Sequence, residues 1–453
     1  MGAGCANKIP PMGGPRDTLP PVLLNVFPED SSLNFKSEKI VFNFDEFVQL
    51  DNISRNLIVS PTLPNNPIVV HRLRTVTVTI NDTLLQPNTT YTFDFGKALK
   101  DNNEGNLYEN FKYIFSTGTY LDSLQFSGNV INAETGMPDS TLMALLFTQP
   151  EDSAIINNRP AYKSRLDRDG RFHFQNLPPG VFYLYAVKDE SGLGRYAGKS
   201  QLFAFANEPV AVNADSSIED ITLYAFIEEK EAQGRTTSPS RRQPAQQAVE
   251  EPLLYSTNIK ENKLSLLQQL TINFADSIAE YNSNAIRITD TNYIPQHIDS
   301  LTIDTTGKIF TLYSEFTSGT DYRLLIDEGF AKDTLGRINT PSDTIHFATR
   351  QESEYGSLKM RFTNLRISNN PILILLQNNE VKYTHIFTNR EANINLIEPG
   401  EYDLRIVYDE NRNGKWDTGR FFGGRRQPEK VLPINRKLTI RSNWLNEVDI
   451  ELE

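Results

Sequence analysis

The residues best spaced for chemistry run from Asp409 to Gly419 and read Asp-Glu-Asn-Arg-Asn-Gly-Lys-Trp-Asp-Thr-Gly. Asp409, Asn411 and Asn413 set side-chain oxygens at alternate positions, Gly414 follows where a sharp turn is needed, and Asp417 adds a second carboxylate. This is the oxygen spacing of the first half of a calcium loop. The position that carries a bidentate Glu in such a loop falls on Arg420, so any Ca²⁺ is expected to bind weakly, on the order of millimolar. The competing reading is an Asx-rich hairpin loop whose side-chain oxygens cap backbone N–H groups. Asp189-Glu190-Ser191-Gly192, the equivalent stretch of the first half, has fewer ligands and favours the second reading. Just beyond, Phe421-Phe422-Gly423-Gly424-Arg425-Arg426 joins apolar and basic groups beside glycines. Phe421, Phe422, Arg425 and Arg426 are residue types that anchor protein interfaces, so they are candidate partner contacts; the plainer alternative is a strand and turn.

Other chemistries find less support. Neither Gly-x-Ser-x-Gly nor His-Glu-x-x-His occurs, so no catalytic residue is assigned. His71, His173, His297, His346 and His385 stand far apart, and without His-x-x-x-His or Cys-x-x-Cys there is no zinc pattern. No cofactor is expected beyond the weak calcium. Acid pairs such as Asp45 with Glu46, or Asp45 against Asp276, have the side chains of a glycosidase, but 57 acidic residues produce such pairs by chance. Tyr91, Phe93, Phe95, Tyr183 and Tyr185 alternate along strands, where one face packs a core and the other is free to stack on sugars. The balance of 45 Lys and Arg against 57 Asp and Glu gives a net charge of −12 and argues against nucleic-acid binding. A 38% hydrophobic content suffices for packed cores. No window approaches the ~18–20 apolar residues of a spanning helix.

The elements that must position these groups are short strands. Ile40 to Val48 and Leu270 to Ile278 both alternate apolar residues with period two, as half-buried strands do. Tyr91, Asp101, Gly105, Phe115 and Thr117 recur in the same order and near-equal spacing as Tyr322, Asp333, Gly336, Phe347 and Thr349. Asp167 to Val187 contains a Gly turn, an alternating strand, the Pro179-Gly180 pair and another strand, and Asn395 to Val407 repeats its second half around Pro399-Gly400. At each pair Pro presets φ and Gly is expected to take φ > 0. The chain therefore reads as all-β, a tandem array of antiparallel β-sandwiches in a duplicated pair. Glu228 to Pro252 has Val249 as its one large apolar residue and reads as a flexible hinge.

Residues 20–118 and 254–350 resemble the bacterial Ig-like domain first associated with surface-layer proteins. Residues 119–227 and 351–453 resemble the prealbumin-like domain of carboxypeptidase regulatory regions. Both resemblances imply a fold and no catalysis. Residues 1–19 end the Ala3-Gly4-Cys5 run with a Pro/Gly-rich stretch, and residues 228–253 form the linker. Ala-Gly-Cys resembles the end of a lipoprotein signal, and the whole start is similar to the tether of a Bacteroidota lipoprotein family. That implies lipidation of Cys5 and anchorage in the outer membrane. The apolar stretch that should precede the cysteine is missing, which leaves a truncated start or an ordinary thiol in a floppy end. Ala6 to Pro10 holds no acidic export run, which favours the periplasmic face slightly over the cell surface. The resulting expectation is a non-catalytic outer-membrane lipoprotein acting as a scaffold for an envelope protein partner, as a subunit of a secretion or outer-membrane assembly machine. The alternative is a carbohydrate-binding surface lipoprotein that captures glycans.

Overall fold

The computed structural model describes residues 17–190, 192–213, 220–229, 253–339 and 341–452. Cys5 and nearly all of the linker lie outside the described residues. The architecture is all-β, and the chain falls into two compact units: Met1–Ala232 with Trp416–Leu432, and Gln233–Lys415 with Pro433–Glu453.

The first unit holds two sandwiches. In Lys39–Phe44 the alternating residues Ile40, Phe42 and Phe44 point inward and are buried. This strand lies in a sheet ordered Leu23–Phe27, Lys39–Phe44, Thr75–Thr79, Ile68–Arg72. The facing sheet is Ile58–Ser60, Thr90–Gly96, Phe111–Ser116. Between them the Phe42 ring meets Phe95, Phe111 and Tyr113 edge-on at 5.6, 5.2 and 5.4 Å, a geometry that aligns the positive ring edge with a negative face. Each such buried ring contributes about 1.5–3 kcal/mol by leaving water. In the second sandwich Leu124–Asn132 sits between Arg171–Leu177 and Ile221–Ala225. The facing sheet is Tyr162–Arg165, Met143–Phe147, Gly180–Val187, Phe203–Phe205, with Val210–Val212 also on Gly180–Val187.

The second unit repeats both strand orders. Its first sandwich pairs Tyr255–Thr257, Leu270–Phe274, Ile309–Tyr313 and Ser300–Ile303 against Lys263–Leu264, Asp343–Thr349, Asp321–Ile326 and Ile286–Thr289. Its second pairs Glu391–Ile397, Gly356–Thr363 and Leu445–Glu451 against Glu380–Ile386, Pro371–Gln377, Gly400–Tyr408 and Val431–Ile440. The arrays are antiparallel apart from one parallel pair that recurs in both units and a short one, Lys263–Leu264 with Asp343–Thr349, in the second. Leu124–Asn132 and Ile221–Ala225 run parallel, as do Gly356–Thr363 and Leu445–Glu451.

The repeated landmarks hold equivalent places. The Tyr91 hydroxyl accepts from Gln86 N at 2.8 Å and the Tyr322 hydroxyl from Thr317 N at 3.1 Å. Thr117 Oγ1 accepts from Thr89 N and Thr349 Oγ1 from Thr320 N, each at 3.0 Å. Buried Asp101 accepts the backbone N–H groups of Asn103, Glu104, Gly105 and Asn106. Buried Asp333 accepts those of Leu335 and Arg337. Gly105 and Gly336 take φ of 81° and 86° in these turns, a region that strains other residues. The Pro-Gly corners differ from expectation at Gly180, whose φ is not positive. There the left-handed residue is Asn176, φ 54°, beside the bulge opposite Leu124 and Phe126.

Candidate functional site

Among the described residues, two places in the first unit bring chemically active groups together. The first is the segment Trp416–Leu432, which packs on the second sandwich. Phe421 is fully buried, with ring centroids 5.7 Å from Tyr185 and 5.1 Å from both Phe203 and Phe205. Its backbone N–H donates to Glu228 Oε1 at 2.9 Å, Thr418 Oγ1 donates to Ile227 O at 2.7 Å, and Gln427 Nε2 donates to Phe205 O at 3.0 Å. Gly419 passes so close to Phe226 that a Cβ would stand 2.6 Å from ring carbons. Arg425 pairs with Asp152, and its guanidinium lies 5.0 Å from the Phe421 ring. Phe422 is half-buried, 5.5 Å from Tyr196. Exposed Arg426 donates from Nη2 to Thr418 O at 2.8 Å. This revises the partner reading of the stretch: Phe421 and Arg425 are engaged by the chain's own sandwich, because an aromatic pocket is open to them there.

The Asp409 loop is built from Asx caps. In the second unit the buried Asp409 accepts from Gly414 N at 2.8 Å and from Asn413 N at 3.2 Å. Asn411 Oδ1 accepts from Asn413 N, and Asn413 Oδ1 from Lys415 N, both at 3.0 Å. Asp417 belongs to the first unit, where its N–H donates to Glu429 Oε2 at 3.0 Å and its carbonyl accepts from Glu429 N. Among the described residues no group of three or more His, Cys, Asp or Glu side chains is placed to hold a metal ion.

The remaining candidates are structural. Asp45 accepts from Val22 N at 2.8 Å, and Asp276 pairs with Arg337, which also holds Asp333. Tyr91, Phe93, Phe95 and Tyr185 are core residues and present no ring for sugar stacking, whereas Tyr183 is half-buried, packed against the cluster that holds Phe421.

The second place is a cleft of about 1140 Å³ between the two sandwiches of the first unit. Its walls include three edge strands, Ile58–Ser60, Tyr162–Arg165 and Arg171–Leu177. Arg165 Nη1 stands 3.3 Å from Asp94 Oδ1, an ion-pair distance without hydrogen-bond alignment, while Nη2 donates to Asn56 O. Lys163 Nζ donates to Gly192 O at 3.1 Å. Burial lowers the pKa of Lys163, with Asp189 opposing the shift and Arg159 adding to it. Burial and then the Lys112 charge lower that of His173. These cations escaped the sequence reading. Their signal is the local run Lys163, Arg165, Arg168, Arg171 in a chain of net charge −12.

The fold defines a chain of tandem antiparallel β-sandwiches. Residues 17–117 match the family of the bacterial Ig-like domain. No curated protein matches the chain. Among solved structures, the chain is similar to BcpA, the major pilin subunit of Bacillus cereus, at 11% identity and a TM-score of 0.18, covering 72% of this chain and 99% of that one. It is also similar to the Bacillus anthracis TIE protein, at 9% identity and a TM-score of 0.16, with coverage of 97% and 75%. The S-layer protein rSbsC(31-844) aligns at 13% identity and a TM-score of 0.16, with coverage of 95% and 54%. Superpositions this loose assign neither activity nor partner.

Proposed function

We propose that this chain is a non-catalytic scaffold of the cell envelope, a lipoprotein held to the outer membrane through Cys5 that serves as an interaction subunit of a secretion or outer-membrane assembly machine. The observation that carries the reading is where the carboxylates go. Asp45, Asp101, Asp276, Asp333 and Asp409 all hold turns or neighbouring strands through backbone N–H groups or Arg337. Side chains so engaged stabilise each sandwich by itself, which is what a spacer or docking module needs.

The anchor is tested by expressing the chain behind a lipoprotein signal peptide in a Bacteroidota host with labelled palmitate. Cys5 chain is expected in the outer-membrane fraction with label, and Cys5→Ser chain in the soluble fraction without it. Protease treatment of intact cells then reports the face of the membrane. Equal solubility of both chains would remove the anchor. A second reading, glycan capture, is favoured by the cation-lined cleft alone.

A further inference from the structure

The cleft in the first unit carries an inference that rests on the second reading, glycan capture, and not on the anchor or on any machine. The chain has a net charge of −12, yet the cleft gathers cations. Most of its acids are already engaged. Asp94 is held by Arg165, Asp189 accepts from Gly194 N beside Lys163, and Asp167 accepts from the backbone of Asp169 and Arg171. Lys97, Lys112 and Arg168 have no carboxylate partner among the described residues, and Glu109 is the acid left to oppose them. Crowded cations repel one another: beyond the larger effect of burial, the Lys112 charge helps to lower the pKa of His173 and the Arg159 charge that of Lys163. An anion in the cleft relieves that repulsion.

Two further features narrow the anion. Thr62 Oγ1, on a cleft-lining residue, is buried without a hydrogen-bond partner, whereas Arg165 Nη1 already has Asp94 at 3.3 Å. A hydroxyl left so is costly, and a ligand oxygen entering beside it would offer the missing partner. The edge backbones, by contrast, are partly closed. Ser164 Oγ accepts from His173 N at 3.1 Å and donates to His173 O at 2.9 Å, and Thr62 N donates to Ala161 O at 2.8 Å. A peptide adding as a strand therefore finds those bonds taken. Tyr162, Phe172 and Phe174, the rings of the wall, are buried in the core, so a neutral sugar has nothing flat to stack on. What the cleft offers is cations interspersed with hydroxyl and amide side chains such as Ser140, Thr141 and Asn110.

We propose that this cleft binds an acidic oligosaccharide, a chain of sugars bearing carboxylates, with Lys112, Arg168 and Lys163 meeting the carboxylates and the hydroxyl and amide groups meeting the sugar hydroxyls. The test is titration calorimetry of the full chain with oligogalacturonate, neutral dextran and poly-glutamate. Oligogalacturonate is expected to bind, with affinity falling as salt rises, and dextran is expected not to. Lys112→Gln with Arg168→Gln, both exposed, should weaken binding about tenfold, the loss of two exposed charge pairs, with the melting temperature unchanged. Absence of oligogalacturonate binding, equal binding of dextran, or an unaffected double variant would overturn the proposal. Tighter binding of poly-glutamate would overturn it in favour of an acidic peptide.

Discussion

Replacing Phe421 by Ala removes a ring with no exposed surface from among Tyr185, Phe203, Phe205 and Phe226. Burial of the lost atoms is worth about 1.5–3 kcal/mol, and the cavity left behind raises the cost of Phe→Ala to about 3–5 kcal/mol. Loss of the ring beneath Arg425 adds about 0.5 kcal/mol. For a unit of this size each kcal/mol lowers the melting temperature by about 2–4 °C, so the first unit should melt about 10 °C earlier. Calorimetry measures this, and tryptophan fluorescence locates it. The chain has two tryptophans. Trp416 is half-buried in the first unit with its indole N–H donating to Glu429 O at 3.0 Å, whereas Trp444 in the second is 61% exposed. The early transition should therefore carry most of the fluorescence change. Arg425→Ala is the control: its pair with Asp152 is one-third or more exposed and should cost no more than about 1 kcal/mol. A Phe421→Ala shift below about 2 °C, or one no larger than that of Arg425→Ala, would refute the seating of the ring.

Three further outcomes follow. Asp94→Ala strands the partly buried guanidinium of Arg165 and should cost about 2 kcal/mol, between the exposed and the buried case, read as a lowered melting temperature of the first unit. Burial works against the charge on Asp101, but its backbone N–H partners outweigh it and hold the pKa below the ordinary carboxylate value. Asp304 is held to about 2 by the Thr306 hydroxyl and neighbouring N–H groups. A lowered folded pKa gives stability that is complete above the unfolded value near 4 and lost as pH falls through the folded one. Urea melts between pH 5 and pH 2 should show this loss, and Asp101→Asn should flatten it in the first unit. Finally, about 10 mM Ca²⁺ acting on a millimolar site would stabilise by about 1.4 kcal/mol. With the Asp409 loop held by its Asx caps, the melting temperature is expected to stay within about 1 °C.

The fold was legible where its causes are local. Period-two alternation in Ile40 to Phe44 follows from one face being buried, and the order of Tyr91, Asp101, Gly105 and Thr117 marks a turn chemistry that the second unit repeats. The reason Asp101 recurs as Asp333 was not legible, because a carboxylate collecting N–H groups looks in sequence like any acid. Partners distant along the chain left no local trace. Ile221–Ala225 pairs in parallel with a strand some 93 positions earlier, and Gln427 reaches Phe205 across 222. Phe421 among glycines reads as an exposed anchor for the same reason: its pocket belongs to another part of the chain. The cleft joins residues of two sandwiches, so its charge excess emerges only when Lys112 and Arg168 are brought to one cleft.

The central claim, an anchored scaffold with a stoichiometric partner, is tested most directly by affinity capture from detergent-solubilised membranes of the native host, using the chain behind its signal and the Cys5→Ser chain beside it. The account predicts recovery of an outer-membrane protein in stoichiometric amount, reduced with Cys5→Ser. Recovery of the chain alone, soluble with or without Cys5, would contradict it.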